Sequence, residues 1–552
     1  MIPHKMNNKL LILAVIGIVL YFSSNVIANL SHDNSLEGEL GTPGVTKAAA
    51  AEAAARFAKD RLGITVTDTQ IVYQTDKYAS GYAAKNNLQE LYDRDFADKA
   101  LLDYWLVIVG GPSGNQEARI RVGMDQPVIK AWDTETPLPR IHNDRGQSLA
   151  VQALADEGYN PAEWTYAADQ TGKAANLFTY TSKTLMLGDA PLAVTIGISG
   201  DTVASFLTHF QIPDSYMDWI KSQESLSGKM STTFLLLTAA MGIVALILAA
   251  VNGRKVRWSR GIALTLIFFI LYLISNFNAA DALLSVEGVD QNARSLTLII
   301  MNIFVVGIAL LMALAVWFSL LSGEQQWRKL GSNFWPRWRD REFGEEVFYG
   351  MGRGYLLCFF IMGVQQAAFL VAGMAFDSFS INDPAQSTMN MKWAFLFPTA
   401  AWVAAIMEEA IYRLFGVALF KRILRYNFPA LLITSLIWGL GHTGYTIYPS
   451  YTRLIEVALL GLIFGYAFLK YGFITVVFAH AIMDSLLMAL YLMMEEPSAA
   501  NILWGIFYMV LPVLIGYVVR YLHPRFGGPK QRRRDAPPAP PFPPEPRLIG
   551  LE

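Results

Sequence analysis

Ten runs of about 18 or more residues, apolar enough and long enough for a helix to cross roughly 30 Å of hydrocarbon, constrain this chain before anything else does. They fall at 10–30, 232–252, 261–280, 295–321, 354–376, 393–420, 428–448, 453–471, 473–494 and 501–521. Hydrophobic residues make up 53% of the 552 positions and charged ones only 16%, the first above and the second well below the share in an ordinary soluble domain. The expected fold class is a mainly α polytopic membrane protein of about ten transmembrane helices. Its first run follows Lys5 and Lys9 like a signal peptide, but no small-x-small cleavage site ends it and Asn25 and Asn29 flank it, so residues 1–30 read as an uncleaved anchor.

The net charge of −1 says little, because the charges are segregated along the chain. Basic residues gather on the cytoplasmic side of short loops. Arg254, Lys255, Arg257 and Arg260 follow the second run, Asp281, Glu287 and Asp290 the third, and Arg328, Lys329, Arg337, Arg339 and Arg341 the fourth. Asp377 and Asp383 follow the fifth, and Lys421, Arg422 and Arg425 the sixth. With Lys530 and Arg532 to Arg534 in the tail, both termini are expected in the cytoplasm and residues 31–231 outside, in what reads as a bacterial plasma membrane. The chain divides accordingly into an anchor (1–30), an extracytoplasmic α+β domain (31–231), helices with a cytoplasmic loop (232–345), a membrane core (346–522) and a basic, Pro-rich tail (523–552). That tail reads as solvated polyproline II. The single cysteine, Cys358, excludes any disulfide framework.

Residues 31–231 read as a tandem repeat. Lys47 to Leu62 is Ala-rich and stopped by Gly63, with β-like runs at 64–74, 104–109, 118–122 and 128–132. A second helix at 147–158 precedes further β-like runs at 176–187, 192–196 and 202–209. This pattern resembles the PepSY domain, which implies a module that binds a protein ligand or restrains a peptidase.

Ionisable residues inside spans are costly, so they are functional candidates. The sixth run holds Glu408, Glu409 and Arg413. Glu409 and Arg413 are four apart, acid first, the favourable order for an ion pair on one helix face. Glu408 points about 100° away, poorly served by that arginine and so the better placed for chemistry. The seventh run carries Trp438 and His442 among Gly439, Gly441 and Gly444, which permit close approach. Counting about 1.5 Å per residue from the turn near Tyr426, Glu408 and His442 lie roughly one helical turn apart in depth, near enough to meet. In the ninth run His480 and Asp484 are four apart on one face, where the acid can orient the imidazole. Glu456 reads as an interfacial pair with Arg453, and Gln365 and Gln366 as helix-contact residues. Midplane carboxylates equally suit a proton-coupled transporter. A non-catalytic scaffold or sensor working through the outer domain is a further alternative.

Taken together, Glu408-Glu409-Ala-Ile-Tyr-Arg413, Trp438-Gly-Leu-Gly-His442 and His480-Ala-Ile-Met-Asp484 resemble the three motifs of the CPBP family, the CAAX prenyl endopeptidases and bacteriocin-processing proteins also called Abi. The resemblance covers roughly 350–520, with Trp438 in place of the commoner Phe. It implies an intramembrane endopeptidase acting on a membrane-associated or lipidated peptide or protein, with the bilayer as its setting and no nucleic-acid partner. It also implies that Glu408 and His442 activate water, that His480 with Asp484 handles the oxyanion, and that Glu409, Arg413 and Trp438 support them. An ionised Asp484 cannot donate to an oxyanion, so it is either protonated or orients His480. Glu408, His442 and His480 would also suit Zn²⁺ with an open position, as the family's metalloprotease label suggests. A metal-free glutamate mechanism fits the same residues, there is no HExxH motif, and no cofactor is taken as required.

Overall fold

The computed structural model describes residues 8–30, 42–111, 117–134, 144–167, 176–283 and 294–527. Glu287 and Asp290, the basic cluster at 530–534 and the Pro-rich tail lie outside the described residues, as does the side chain of Asp281.

The chain begins with α1 (Asn8–Leu30) and then builds one sheet domain. Helix α2 (Lys47–Leu62) starts where Thr46 Oγ1 accepts from Ala49 N and stops at Gly63, whose φ of +68° suits a residue without Cβ. Strand β1 (Asp68–Thr75), helices α3 (Lys77–Lys85) and α4 (Gln89–Asp95), and strands β2 (Asp103–Gly110), β3 (Glu117–Gly123) and β4 (Ile129–Thr134) follow. Helix α5 (Asp144–Asp156) then leads into β5 (Trp164–Ala167), β6 (Leu177–Leu187), β7 (Ala190–Ser199) and β8 (Thr202–Phe210). The eight strands form one antiparallel sheet in the order β1-β2-β3-β4-β8-β7-β6-β5. Each half is thus a helix followed by four strands paired in chain order, the first half with α3 and α4 inserted between β1 and β2, and the halves join through their last strands, with Trp132 opposite Phe206. Strict alternation puts Trp105, Val107 and Val109 of β2 in the core shared with α2, α3, α4 and α5, and Tyr104 and Leu106 on the opposite face with Val72. The first strand of the second half, β5, and the helices α3 and α4 have no signal in the sequence because each is too short to show a period.

Helix α6 (Asp214–Val251) runs 38 residues without interruption, so the boundary drawn at residue 231 falls inside one rod about 57 Å long. Tyr216 and Ile220 at its start belong to the sheet domain's core, whereas Met241 and Ala245 belong to that of the helical bundle. The remaining helices are α7 (Ile262–Leu283), α8 (Arg294–Lys329), α9 (Phe343–Phe376), α10 (Thr399–Glu408), α11 (Val417–Leu424), α12 (Asn427–Leu440), α13 (Ser450–Tyr471), α14 (Phe473–Glu495) and α15 (Ala499–Phe526). A two-residue strand β9 (Phe379–Ser380) follows α9 and pairs with β10 (Ile447–Tyr448).

Among the described residues eight helices are long and apolar enough to cross a membrane: α1, α6, α7, α8, α9, α13, α14 and α15. Two of the ten expected spans take another form. The sixth is a continuous helix from Thr399 to Leu424 whose middle, Glu409–Gly416, is wound as a π turn between α10 and α11. The seventh, α12, has 14 residues, about 21 Å, because the chain tightens at Gly441 and His442 into a turn and then into β10.

Two glutamines of α9 find partners across helix crossings. Gln366 donates to Asn25 of α1 at 2.7 Å, and Gln365 donates to Glu456 at 3.0 Å, which Arg453 also meets at 2.5 Å. At the end of the bundle far from the sheet, Glu324 lies among Arg260, Arg337 and Arg328 at 3.3, 3.7 and 3.8 Å. Desolvation lowers the Arg260 guanidinium to about 10, with Glu324 opposing the shift.

Candidate active site

The six ionisable residues singled out in the sequence, together with Trp438, converge within the bundle. Glu408 ends α10, and the π turn carries Glu409 through Arg413. Its closing bond, from Val417 N to Tyr412 O, spans five residues rather than four. Such wide turns concentrate at functional sites, where they displace side chains from regular helical spacing. Here Arg413 Nη1 still reaches Glu409 Oε1, at 3.3 Å.

Glu409 also meets a second partner. His480 Nδ1 lies 2.9 Å from Glu409 Oε1, and since a carboxylate only accepts, that nitrogen is the donor. His480 Nε2 then faces Asp484 Oδ2 at 3.4 Å and Glu408 Oε2 at 3.8 Å. The imidazole is therefore aimed by a carboxylate from the neighbouring helix, while Asp484 sits on the side of the other nitrogen.

From α12, the side chain that crosses to Glu408 is Trp438, whose Nε1–H donates to Glu408 Oε2. His442 lies one turn further on, beyond the end of the helix. Its Nδ1 is 3.0 Å from the carbonyl of Trp438, which can only accept, so Nδ1 carries the hydrogen and the neutral ring presents a free lone pair at Nε2. Close approach at the glycines sets this end of α12. A Cβ on Gly441 would enter the ring of Phe234 from α6, and one on Gly439 would meet the Leu454 carbonyl of α13 at 3.0 Å.

Exposure sorts the cluster in two. Glu409, Arg413 and His480 are sealed, with side chains 0, 2 and 3% exposed, whereas Glu408 and Asp484 keep 14 and 18%. His442 is also partly exposed. The sealed three hold the geometry, and the open three face whatever enters. Arg413 lies over the rings of Trp438 and Phe464, 4.0 and 5.4 Å from their centroids, and these cation–π contacts support a guanidinium whose Nη1 and Nη2 lack hydrogen-bond partners.

Three further residues complete the surroundings and had no sequence signal, since each counts only through tertiary packing. Tyr412 shares a 2.8 Å hydrogen bond with Thr238 of α6, Tyr445 stacks on His442 at 6.0 Å, and Phe464 packs on His480 at 5.1 Å.

Glu408, His442 and His480 are the residues that would hold a metal ion. Nδ1 of His442 and of His480 donate to Trp438 O and Glu409 Oε1, contacts of the kind that orient a metal-ligating imidazole, but among the described residues no group of three His, Cys, Asp or Glu is drawn together closely enough to enclose an ion.

Residues 390–486, which contain every side chain of this cluster from Glu408 to Asp484, match the family described as type II CAAX prenyl endopeptidase Rce1-like. The chain is also 23% identical over 514 residues to the sporulation-killing factor biosynthesis protein SkfC of Bacillus subtilis (strain 168), a match covering 87% of this chain and 94% of that protein. No solved structure matches the chain.

Proposed function

We propose that this chain, an integral membrane protein with an Rce1-like CAAX prenyl endopeptidase domain at 390–486, hydrolyses a peptide bond of a membrane-associated or lipidated peptide by means of water activated at Glu408 and His442. The observation that carries the reading is the sorting of the cluster: three sealed groups hold three partly open ones, and the open set contains a carboxylate, an imidazole with a free lone pair and a second acid. That is the inventory of general acid–base hydrolysis.

Trp438 holds Glu408 Oε2, which leaves Oε1 to accept a proton from water while His442 Nε2 accepts the second water hydrogen bond. The hydroxide equivalent adds to the scissile carbonyl, and the proton held by Glu408 passes to the leaving amine as the carbon–nitrogen bond breaks. The oxyanion forms on the side of His480 and Asp484. His480 Nε2, when protonated, is the donor available there, because an ionised Asp484 has no hydrogen to give.

The membrane setting supports that substrate class, and the relative named for biosynthesis of a sporulation-killing factor favours a role in maturing such a product. The sheet domain, with its PepSY-like pattern, lies outside the cell in this reading and both termini lie inside. The basic residues Arg254, Lys255 and Arg257, just after α6 ends at Val251, support that orientation because they lie at the opposite end of α6 from the sheet.

Mass spectrometry of peptides in membranes holding the intact protein or its Glu408→Gln variant tests the assignment. Loss of a carboxylate base lowers turnover by roughly 10²- to 10⁴-fold, so a precursor accumulates in the variant while its product disappears. Turnover should survive a chelator, and loss of it on chelation that added Zn²⁺ reverses would replace this scheme with a metal one. Flux of a solute into sealed vesicles with no cleaved product would place the chain among transporters.

A further inference from the structure

We propose that Trp438 is a positioning residue for the water-activating pair: its indole N–H fixes one oxygen of Glu408, and its main-chain carbonyl fixes the tautomer of His442. The inference rests on the assignment of Glu408 as the base, and it adds a residue whose side chain touches no substrate.

The geometry leaves the indole little freedom. Trp438 is 3% exposed, its face lies under the Arg413 guanidinium at 4.0 Å, and Phe464 meets it edge-on at 6.0 Å with an interplanar angle of 88°. His442 and His480 stand against it at 5.0 and 5.8 Å between ring centroids. An indole N–H is a donor and never an acceptor, so the oxygen it meets is held with a lone pair toward the ring. That bond opposes rotation of the carboxylate and leaves its second oxygen unclaimed by the indole. A phenylalanine here would keep the aromatic wall and the face under Arg413 but offer no donor, so this chain locks Glu408 by a bond that a hydrocarbon ring cannot make.

The carbonyl works independently of the side chain. It receives Gly441 N at 3.1 Å and His442 Nδ1 at 3.0 Å, so the turn that ends α12 is also what leaves His442 Nε2 unprotonated in the neutral ring. Substitution at Trp438 therefore disturbs Glu408 while sparing the tautomer of His442, and the two effects separate experimentally.

The full-length protein in lipid nanodiscs would be compared with Trp438→Phe and with a protein carrying 3-benzothienylalanine at 438, which keeps the indole shape and replaces N–H by sulfur. Because the chain has 13 tryptophans, difference spectra against Trp438→Phe isolate the one of interest. The indole N–H mode in ultraviolet resonance Raman should report a strong hydrogen bond in the unsubstituted protein that weakens in Glu408→Gln. The carboxylate stretch assigned by Glu408→Gln should shift in both Trp438 variants. With a fluorescence-quenched farnesylated peptide of CAAX type as probe, both variants should lose roughly ten- to hundredfold in kcat, the size of a lost hydrogen bond to a charged group, with KM little changed.

An unshifted carboxylate band, or wild-type kcat in the benzothienyl protein, would overturn the proposal. If Glu408→Gln itself keeps turnover, the assignment of the base falls instead. The spectroscopic arm decides the role of Trp438 even where that peptide is not cleaved.

Discussion

Glu409 is the most heavily used side chain of the cluster, since one of its oxygens serves both Arg413 at 3.3 Å and His480 at 2.9 Å while the other has no hydrogen-bond partner. Breaking a buried ion pair from one side leaves a bare charge in a low-dielectric interior and costs about 3–5 kcal/mol, whereas removing both charges costs far less. Glu409→Gln and Arg413→Met should therefore each lower the thermal unfolding midpoint in detergent strongly. The double variant should recover part of the loss, a coupling that a double-mutant cycle reads directly. Equal and additive losses would mean that the pair is not a unit. Spacing alone makes this pair legible in the sequence, because residues four apart on a helix share a face. The contact of Glu409 with His480 was not legible, since it joins positions 71 apart through the packing of α14 on the π turn. For the same reason helix arithmetic brings Glu408 and His442 to similar depth yet cannot show that Trp438 fills the space between them.

Helix crossings carry their own constraints. Where α1 meets α9 the backbones touch: a Cβ on Gly363 would collide with the main chain of Gly17, and one on Gly17 with the main chain at Phe359 and Phe360. In lipid, where apolar surface drives no association between helices, such close packing and the Gln366–Asn25 bond beside it hold the first helix in place. Gly363→Val should destabilise the protein by about 1–3 kcal/mol, the range for forcing bulk into a packed contact, and expose α1 to limited proteolysis. Gly307→Val in α8, where a Cβ would meet nothing within 4 Å, serves as the control and should leave both readouts unchanged. A neutral Gly363→Val would show that α1 docks by other contacts. Hydropathy reveals the long helices because an 18-residue apolar run has few other uses. It misplaces the end of α12 and the start of α6, because neither is set by hydropathy. The glycine-rich turn at Gly441 stops the first, and the polar residues 214–231 continue the second into the sheet domain.

At the scale of the molecule, two connections lead from the sheet domain to the cluster. The first is α6, which starts in the sheet core at Tyr216, places Phe234 against Gly441 and bonds Thr238 to Tyr412. The second is the segment between α9 and α10, whose Asn390 brackets the edge strand β1. Asn390 Oδ1 accepts from Tyr73 N at 2.7 Å and Nδ2 donates to Tyr73 O at 2.9 Å, which satisfies groups that an edge strand otherwise leaves open. Two residues earlier Thr388 N donates at 2.8 Å to Glu495, the last residue of the helix that carries His480 and Asp484, and nine residues later α10 begins its run to Glu408. Movement of the sheet relative to the bundle would thus be felt on both helices that bear the carboxylates. Asn390→Ala leaves two buried backbone groups of Tyr73 without partners, at about 1–3 kcal/mol each. It should raise hydrogen exchange at Tyr73 while the bundle stays folded, because no residue of the cluster touches Asn390. If the sheet domain gates the site, the same substitution changes cleavage of the accumulated precursor without altering the spectroscopic signature of the Trp438–Glu408 bond. Faster exchange at Tyr73 with cleavage unchanged would make the domain a tether for substrate or partner, and would remove it from control of the chemistry.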